Sequence, residues 1–192
     1  MPLILCHSPK GGTGSSFLAA HLALGLAQHG HAVTALDMTD HDTLKLYFGL
    51  APDLPLPDIE SDFEDAVVVA GVTLASARAA SRQPDFVEAI AGGDLPFTGS
   101  GYFIADIASA DGTLCEALLP HARLHLCAVT PSALSLAALK LLHPGGVLAS
   151  SPRTTFVLNR FNETHRLARH TRSFLRELLG DRMVGVVRSD ES

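Results

Sequence analysis

The chain has few cysteines and none of them is paired in sequence. Cys6, Cys115 and Cys127 are odd in number and lack Cys-x-x-Cys spacing, so neither a disulfide framework nor a zinc ribbon is expected. They read as reduced thiols of a cytoplasmic protein. No basic segment precedes an apolar one at the N-terminus, which makes that stretch a first strand and not a secretory signal. The apolar span from Leu124 to Leu142 is broken by Pro131 and Lys140; it reads as a strand followed by a helix, and no integral membrane segment is expected. His7, His21, His29, His31 and His41 stand in no His-Glu-x-x-His or cysteine-paired context, so no metal-ligand set is drawn from the histidines. Basic residues are outnumbered, 14 against 20 acidic, for a net charge of −6. Non-specific nucleic-acid binding by the whole chain is therefore not expected. Internal repeats and low-complexity tracts are absent.

What is present is an apolar content of 47% over 192 residues, punctuated by Gly and Pro. That suits one folded α/β domain. Strand and helix patterns alternate, which predicts a mostly parallel sheet covered on both faces. The expected strands are Leu3–His7, His31–Leu36 ending on Asp37, Val67–Ala75, Gly101–Ile107, Leu124–Thr130, Thr154–Leu158 and Met183–Val187. The expected helices are Ser16–His29, stopped by Gly30, then Pro84–Ala91, Ser132–Leu142 and His165–Leu179. Residues Ala51–Pro57 read as a loop, and the acidic run Asp58–Asp65 as a solvated segment.

The most informative stretch is Ser8-Pro9-Lys10-Gly11-Gly12-Thr13-Gly14-Ser15-Ser16, set between the first strand and an Ala/Leu-rich helix. Glycines there permit tight turns whose N–H groups point at an anion, and the helix N-terminus adds partial positive charge. The pattern departs from Gly-x-x-x-x-Gly-Lys-[Ser/Thr] in that Ser15 takes the lysine position, while a lysine stands early, at Lys10. Apolar runs ending in Asp37 and Asp106 put carboxylates at strand ends, where a phosphate-bound Mg²⁺ is managed.

Lys10–Ser16 resembles the deviant Walker A motif, KGGxGK[ST], of the ParA/MinD family of ATPases, and the resemblance runs from Leu3 to Glu191. Within that family the nearest likeness is to the BcsQ-type accessory proteins of bacterial cellulose secretion. Two features carry it: the small hydroxyl residue at Ser15, and the run Asp37…Leu44-Lys45-Leu46-Tyr47-Phe48. The resemblance implies a three-layer fold, a twisted and mostly parallel sheet with helices on both faces. It also implies ATP with Mg²⁺ as cofactors, and a homodimer bridged by nucleotide, in which Lys10 reaches the partner's phosphates. Gly11, Gly12, Thr13, Gly14, Ser15 and Ser16 would cradle phosphate. Ser16, Asp37 and Asp106 would hold Mg²⁺, mostly through water. Asn159 and Arg160 would face the adenine, with Val186–Glu191 as a second adenine-side loop.

The family's water-orienting aspartate falls by spacing on Thr39, with Asp40 one residue later. Asp40 could substitute only through a bent loop, since near-attack geometry tolerates little displacement. Slow or absent hydrolysis is the expectation. Loss of the lysine charge at position 15 removes a charge-assisted bond of about 1.5–3 kcal/mol. Other components of cellulose secretion are the expected partners, with recruitment by them to the inner face of the membrane. DNA is not an expected partner, although Arg166, Arg169, Arg172 and Arg176 form a stripe on the helix from His165. The sequence also stops at Ser192, short of C-terminal helices that the resemblance implies, among them MinD's amphipathic membrane helix.

Overall fold

A computed structural model describes residues 2–59, 66–93, 101–142 and 153–189. Eight strands form one sheet: β1 (Leu3–Cys6), β2 (Val33–Met38), β3 (Val67–Val69), β4 (Val72–Ser76), β5 (Tyr102–Ile107), β6 (Leu124–Val129), β7 (Thr154–Phe161) and β8 (Met183–Arg188). Their spatial order is β3-β4-β2-β5-β1-β6-β7-β8. All neighbours run parallel except β3 and β4. The central strands are apolar on both faces, as a parallel sheet sandwiched between helices requires. The expected α/β architecture is the observed one.

Helix α1 (Ser15–Gln28) lies on one face of the sheet. Leu18, Ala19, Ala20 and Ala23 are its buried residues, packed with Ile4, Cys6, Ala35 and Ile104. Phe17, Leu22, Leu24 and Leu26 flank this contact and remain partly open. The closest approach is thus made by alanines, which let the helix axis sit near the strands. The opposite face carries α2 (Phe86–Gly92) and α3 (Gly112–Leu118), whose Phe86, Ile90, Cys115 and Leu118 pack on Leu3, Leu5, Leu36 and Phe103. At the far end, α4 (Ala133–Ala138) is capped by Ser132, whose Oγ accepts from the Ser135 N–H. Helix α5 (Arg166–Leu179) buries Ala168, Thr171, Leu175 and Leu179.

Three details differ from expectation. The run Val67–Ala75 is not one strand but a hairpin, turned at Ala70 (φ 49°) and Gly71 (φ 80°). Two positive φ values define the tight turn that matches strand twist. Helix α3 was not among the expected elements. The seventh strand runs on past Leu158 to Phe161, so Asn159 and Arg160 lie within the strand and not in a turn after it. Of the acidic run, Asp58 bridges to Ser76 and Ile59 is buried; 60–65 lie outside the described residues, as do Asp190 and Glu191. No described helix is long and apolar enough to cross a membrane.

Candidate functional site

The strand order sets β1 in the middle of the sheet, with β5 between it and β2. The loops leaving the C-terminal ends of these three strands therefore converge, the usual place for a ligand crevice in an open α/β sheet. A cleft of about 670 Å³ opens there. Its walls are the glycine-rich loop, residues 39–47 after β2, residues 106–110 after β5, and Arg160.

The loop is pinned at its base and its shoulder. Gly12 and Gly14 take φ values of 74° and 104°, which side-chain-bearing residues rarely adopt. The Thr13 hydroxyl donates to the Lys10 carbonyl at 3.1 Å. Ser15, standing at the lysine position, donates its hydroxyl to the Ser8 Oγ at 2.9 Å. The Ser8 hydroxyl donates in turn to the Ala128 carbonyl, and accepts from the Ala128 N–H, both at 2.9 Å. One donor and two acceptor positions are thereby used, the full capacity of a hydroxyl. Ser15 is tied to the strands below it. Lys10 is half-buried, with its ammonium on the Gly11 carbonyl at 3.1 Å.

Asn159 reaches the same loop from β7. Its amide Nδ2 donates to the Thr13 carbonyl at 2.8 Å, and its Oδ1 accepts from the Arg160 N–H. The fit is so close that a Cβ on Gly14 would stand 2.1 Å from Nδ2. Asn159 is 5% exposed and is not among the residues lining the cleft. Arg160 is: it sits at φ 53° in an irregular stretch of the β7–β8 pairing. A bulge of this kind re-aims a side chain.

Asp37 and Asp106 are the penultimate residues of adjacent strands, in register. Asp37 is buried and accepts from the Thr39 N–H (2.8 Å), the Thr39 hydroxyl (2.6 Å) and the Leu44 N–H (2.9 Å). Burial raises its pKa against these bonds. It shapes the loop that Thr39 begins. Asp106 is fully buried, and neither carboxylate oxygen has a hydrogen-bond partner in standard geometry among the described residues. Burial pushes its pKa up to about 7, the nearby Ser16 hydroxyl pulls it back, and the Asp37 carboxylate adds to the rise. An orphaned carboxylate at the floor of a cleft, beside a loop hydroxyl, fits the oxygen-rich surroundings that Mg²⁺ takes.

Asp40 lies at the rim, about half exposed and paired with Arg82 and, at 3.5 Å, with Arg78. These arginines, on and beside the short turn Ala80–Arg82, were not singled out from sequence, nor was Ser109. The Ser109 hydroxyl lies 3.2 Å from where a Gly11 Cβ would be. The position of Ser109, just past a strand that ends in a site aspartate, is the one signal that could have found it. The arginine stripe of α5 is partly used within the fold. Arg169 donates to the carbonyls of Glu163 and Thr164, and Arg172 lies over the Phe161 ring.

Residues 4–192 match the nucleotide-binding domain family of CobQ, CobB, MinD and ParA. No curated protein matches the sequence. Among solved structures, a ParA family ATPase from Chlorobium tepidum superposes with a TM-score of 0.75 at 19% identity, covering 99% of this chain and 84% of that one. A plasmid partition protein of Borrelia burgdorferi bound to AMPPNP gives 0.74 at 17%, covering 99% and 86%. MinD of Aquifex aeolicus, in complex with MinC, gives 0.74 at 17%, covering 100% and 82%.

Proposed function

We propose, for a chain that belongs to the CobQ/CobB/MinD/ParA nucleotide-binding domain family, a protein that binds ATP and Mg²⁺ in the cleft above β1, dimerises across the nucleotide and turns it over slowly or not at all. The observation that carries the binding half is Asp106: a buried carboxylate without a hydrogen-bond partner in standard geometry among the described residues, lining the same cleft as Ser16 and the glycine loop. The bound cation would supply positive charge that stabilises phosphate oxygens. The chain's own part is positional. Gly11–Ser16 would present N–H groups to the phosphates, Ser16 and Asp106 would hold the cation, and Asp37 would brace the neighbouring loop. The AMPPNP bound by the Borrelia burgdorferi partition protein supports this reading.

Weak turnover is supported by two arrangements. The hydroxyl at Ser15 is committed to Ser8, so the loop offers no cation of its own at the lysine position. Asp40 is held by Arg78 and Arg82, and Thr39 cannot serve as a carboxylate. Lys10 from a second subunit would restore charge at the phosphates, which couples nucleotide affinity to dimerisation. A single nucleotide-binding domain acting as an accessory of cellulose secretion, in the cytoplasm and recruited to the membrane by its partners, is the role we assign. The cellulose link rests on the BcsQ-type likeness at Ser15 and around Asp37–Phe48.

Calorimetric titration of ATP–Mg²⁺, with light scattering on the same samples, tests the proposal. Binding accompanied by a monomer-to-dimer shift, with the shift lost in Lys10→Ala, is the expected result. Absence of heat at millimolar ATP would leave a scaffold that does not use nucleotide. Appreciable hydrolysis with salt-sensitive DNA retention would instead favour a partitioning ATPase.

A further inference from the structure

We infer that His7, Cys115 and His125 form a metal centre for a thiophilic closed-shell cation, Zn²⁺ or Cu⁺. His7 follows β1, His125 lies on β6 and Cys115 on α3. Their ligand atoms all fall within 4.8 Å of one another. The residues are 2%, 2% and 5% exposed respectively, in the order His7, His125, Cys115. They share the sheet face of Leu5, whose register partner is His125, while α1 packs against the other face with Ile4 and Cys6. This centre is therefore separate from the cleft residues Ser16 and Asp106, and does not depend on their reading.

Three features point to a cation and not to an ordinary buried cluster. Both ring nitrogens of His7 are buried and lack a hydrogen-bond partner in standard geometry among the described residues, with the Ser109 backbone near enough to offset part of the effect of burial. Folded proteins seldom leave such an expense uncompensated. The His125 Nε2 lies 3.8 Å from the Cys115 Sγ; without an ion its N–H donates to the His7 carbonyl at 3.2 Å, and coordination would move that proton to Nδ1. Its other nitrogen, Nδ1, is 3.1 Å from the Thr154 hydroxyl. An outer partner on the second ring nitrogen is what fixes a ligating imidazole.

Two imidazoles and one thiolate form a borderline-soft set that suits Zn²⁺ or Cu⁺ better than Mg²⁺. Zn–S of about 2.3 Å and Zn–N of about 2.0–2.1 Å set donor spacings near 3.5 Å, within a small side-chain adjustment of those observed. Burial holds the Cys115 thiol proton tightly, with a pKa near 12; a cation would displace that proton to solvent, and no electron moves. The ion would tie the residue before Ser8, the anchor of the glycine loop, to the helix that follows the Asp106 loop.

Metal-free protein, refolded in the presence of chelator, is titrated separately with Zn²⁺ and with anaerobic Cu⁺ against a chromophoric competitor. Co²⁺ serves as the spectroscopic probe. One equivalent of Zn²⁺ or Cu⁺ bound at least a hundredfold more tightly than by Cys115→Ser and by His7→Gln is expected, with a thiolate-to-Co²⁺ charge-transfer band in the wild type. ATP–Mg²⁺ should not displace it. No retained equivalent, or retention unchanged in both variants, would overturn the site. Should a variant fail to fold, the wild-type Co²⁺ spectrum decides: a spectrum without the thiolate band means that the metal sits elsewhere.

Discussion

Asp37 and Asp106 are register partners on adjacent parallel strands, yet among the described residues Asp37 accepts three hydrogen bonds and Asp106 none in standard geometry. The difference follows from what comes next in the chain. Thr39 and the turn Leu44–Phe48 fold back over Asp37, whereas Asp106 opens on the cleft. One carboxylate is engaged by the loop that follows it, and the other faces the cleft.

Burial raises the Asp106 pKa from 3.8 to about 7 in the fold. The stability this group supports is complete below 3.8 and is lost as pH rises through about 7. In buffer free of nucleotide and divalent cation, Asp106→Asn should therefore gain on the wild type across that window, by on the order of a few kcal/mol at its upper end. Asp37 shifts in the same direction and is present in both proteins, but its repulsion with Asp106 is lost in the variant, so part of the gain is relief of that repulsion. Denaturant titrations at several pH values measure it; a gap that does not change with pH would show that the carboxylate is already satisfied.

Restoring a lysine at position 15 should tighten ATP binding about ten- to a hundredfold, the worth of one charge-assisted bond. Ser8→Ala also severs the hydroxyl chain to Ala128, but adds no charge; it should weaken the loop without any such gain. Calorimetry on both variants separates the effects. Equal affinities for Ser15→Lys and wild type would mean that the loop points its fifteenth residue away from phosphate.

Asn159→Ala should lower ATP and GTP affinity alike, because its amide holds the Thr13 carbonyl. Gly14→Ala should be harsher, since it sets a Cβ on Asn159 and strains a φ of 104°. Competition binding with the two nucleotides checks this. A loss confined to ATP would mean that Asn159 reads the base.

Ala70→Gly should raise stability by about 1 kcal/mol by relieving a left-handed residue, which corresponds to a few degrees in Tm for a chain of this length. Thermal melts of the two proteins decide it. An unchanged or lower Tm would mean that the added chain entropy of glycine outweighs the strain at Ala70.

The parallel core was readable because its strands are continuous apolar runs that end on Asp37 and Asp106, and α1 because Gly14 and Gly30 bracket it. The hairpin escaped because alanine gives no hint of a positive φ at position 70. The hold of Asn159 on Thr13 spans 146 positions, and that of His125 on His7 spans 118. Contacts of that reach depend on strand order, which no local pattern encodes. The loop itself was legible as a cradle. Which way Ser15 and Asn159 turn within it was decided by the packing of β6 and β7 beneath.

The insertion of β5 between β1 and β2 has a consequence in time. A ribosome releases β1, the glycine loop, α1 and β2 well before Tyr102–Ile107 emerges. Until then the two early strands face an empty slot with unpaired edges, and the floor of the cleft does not exist. Nascent chains shorter than about half the protein should therefore be unable to retain nucleotide, and are the stage at which a holdase would be most needed.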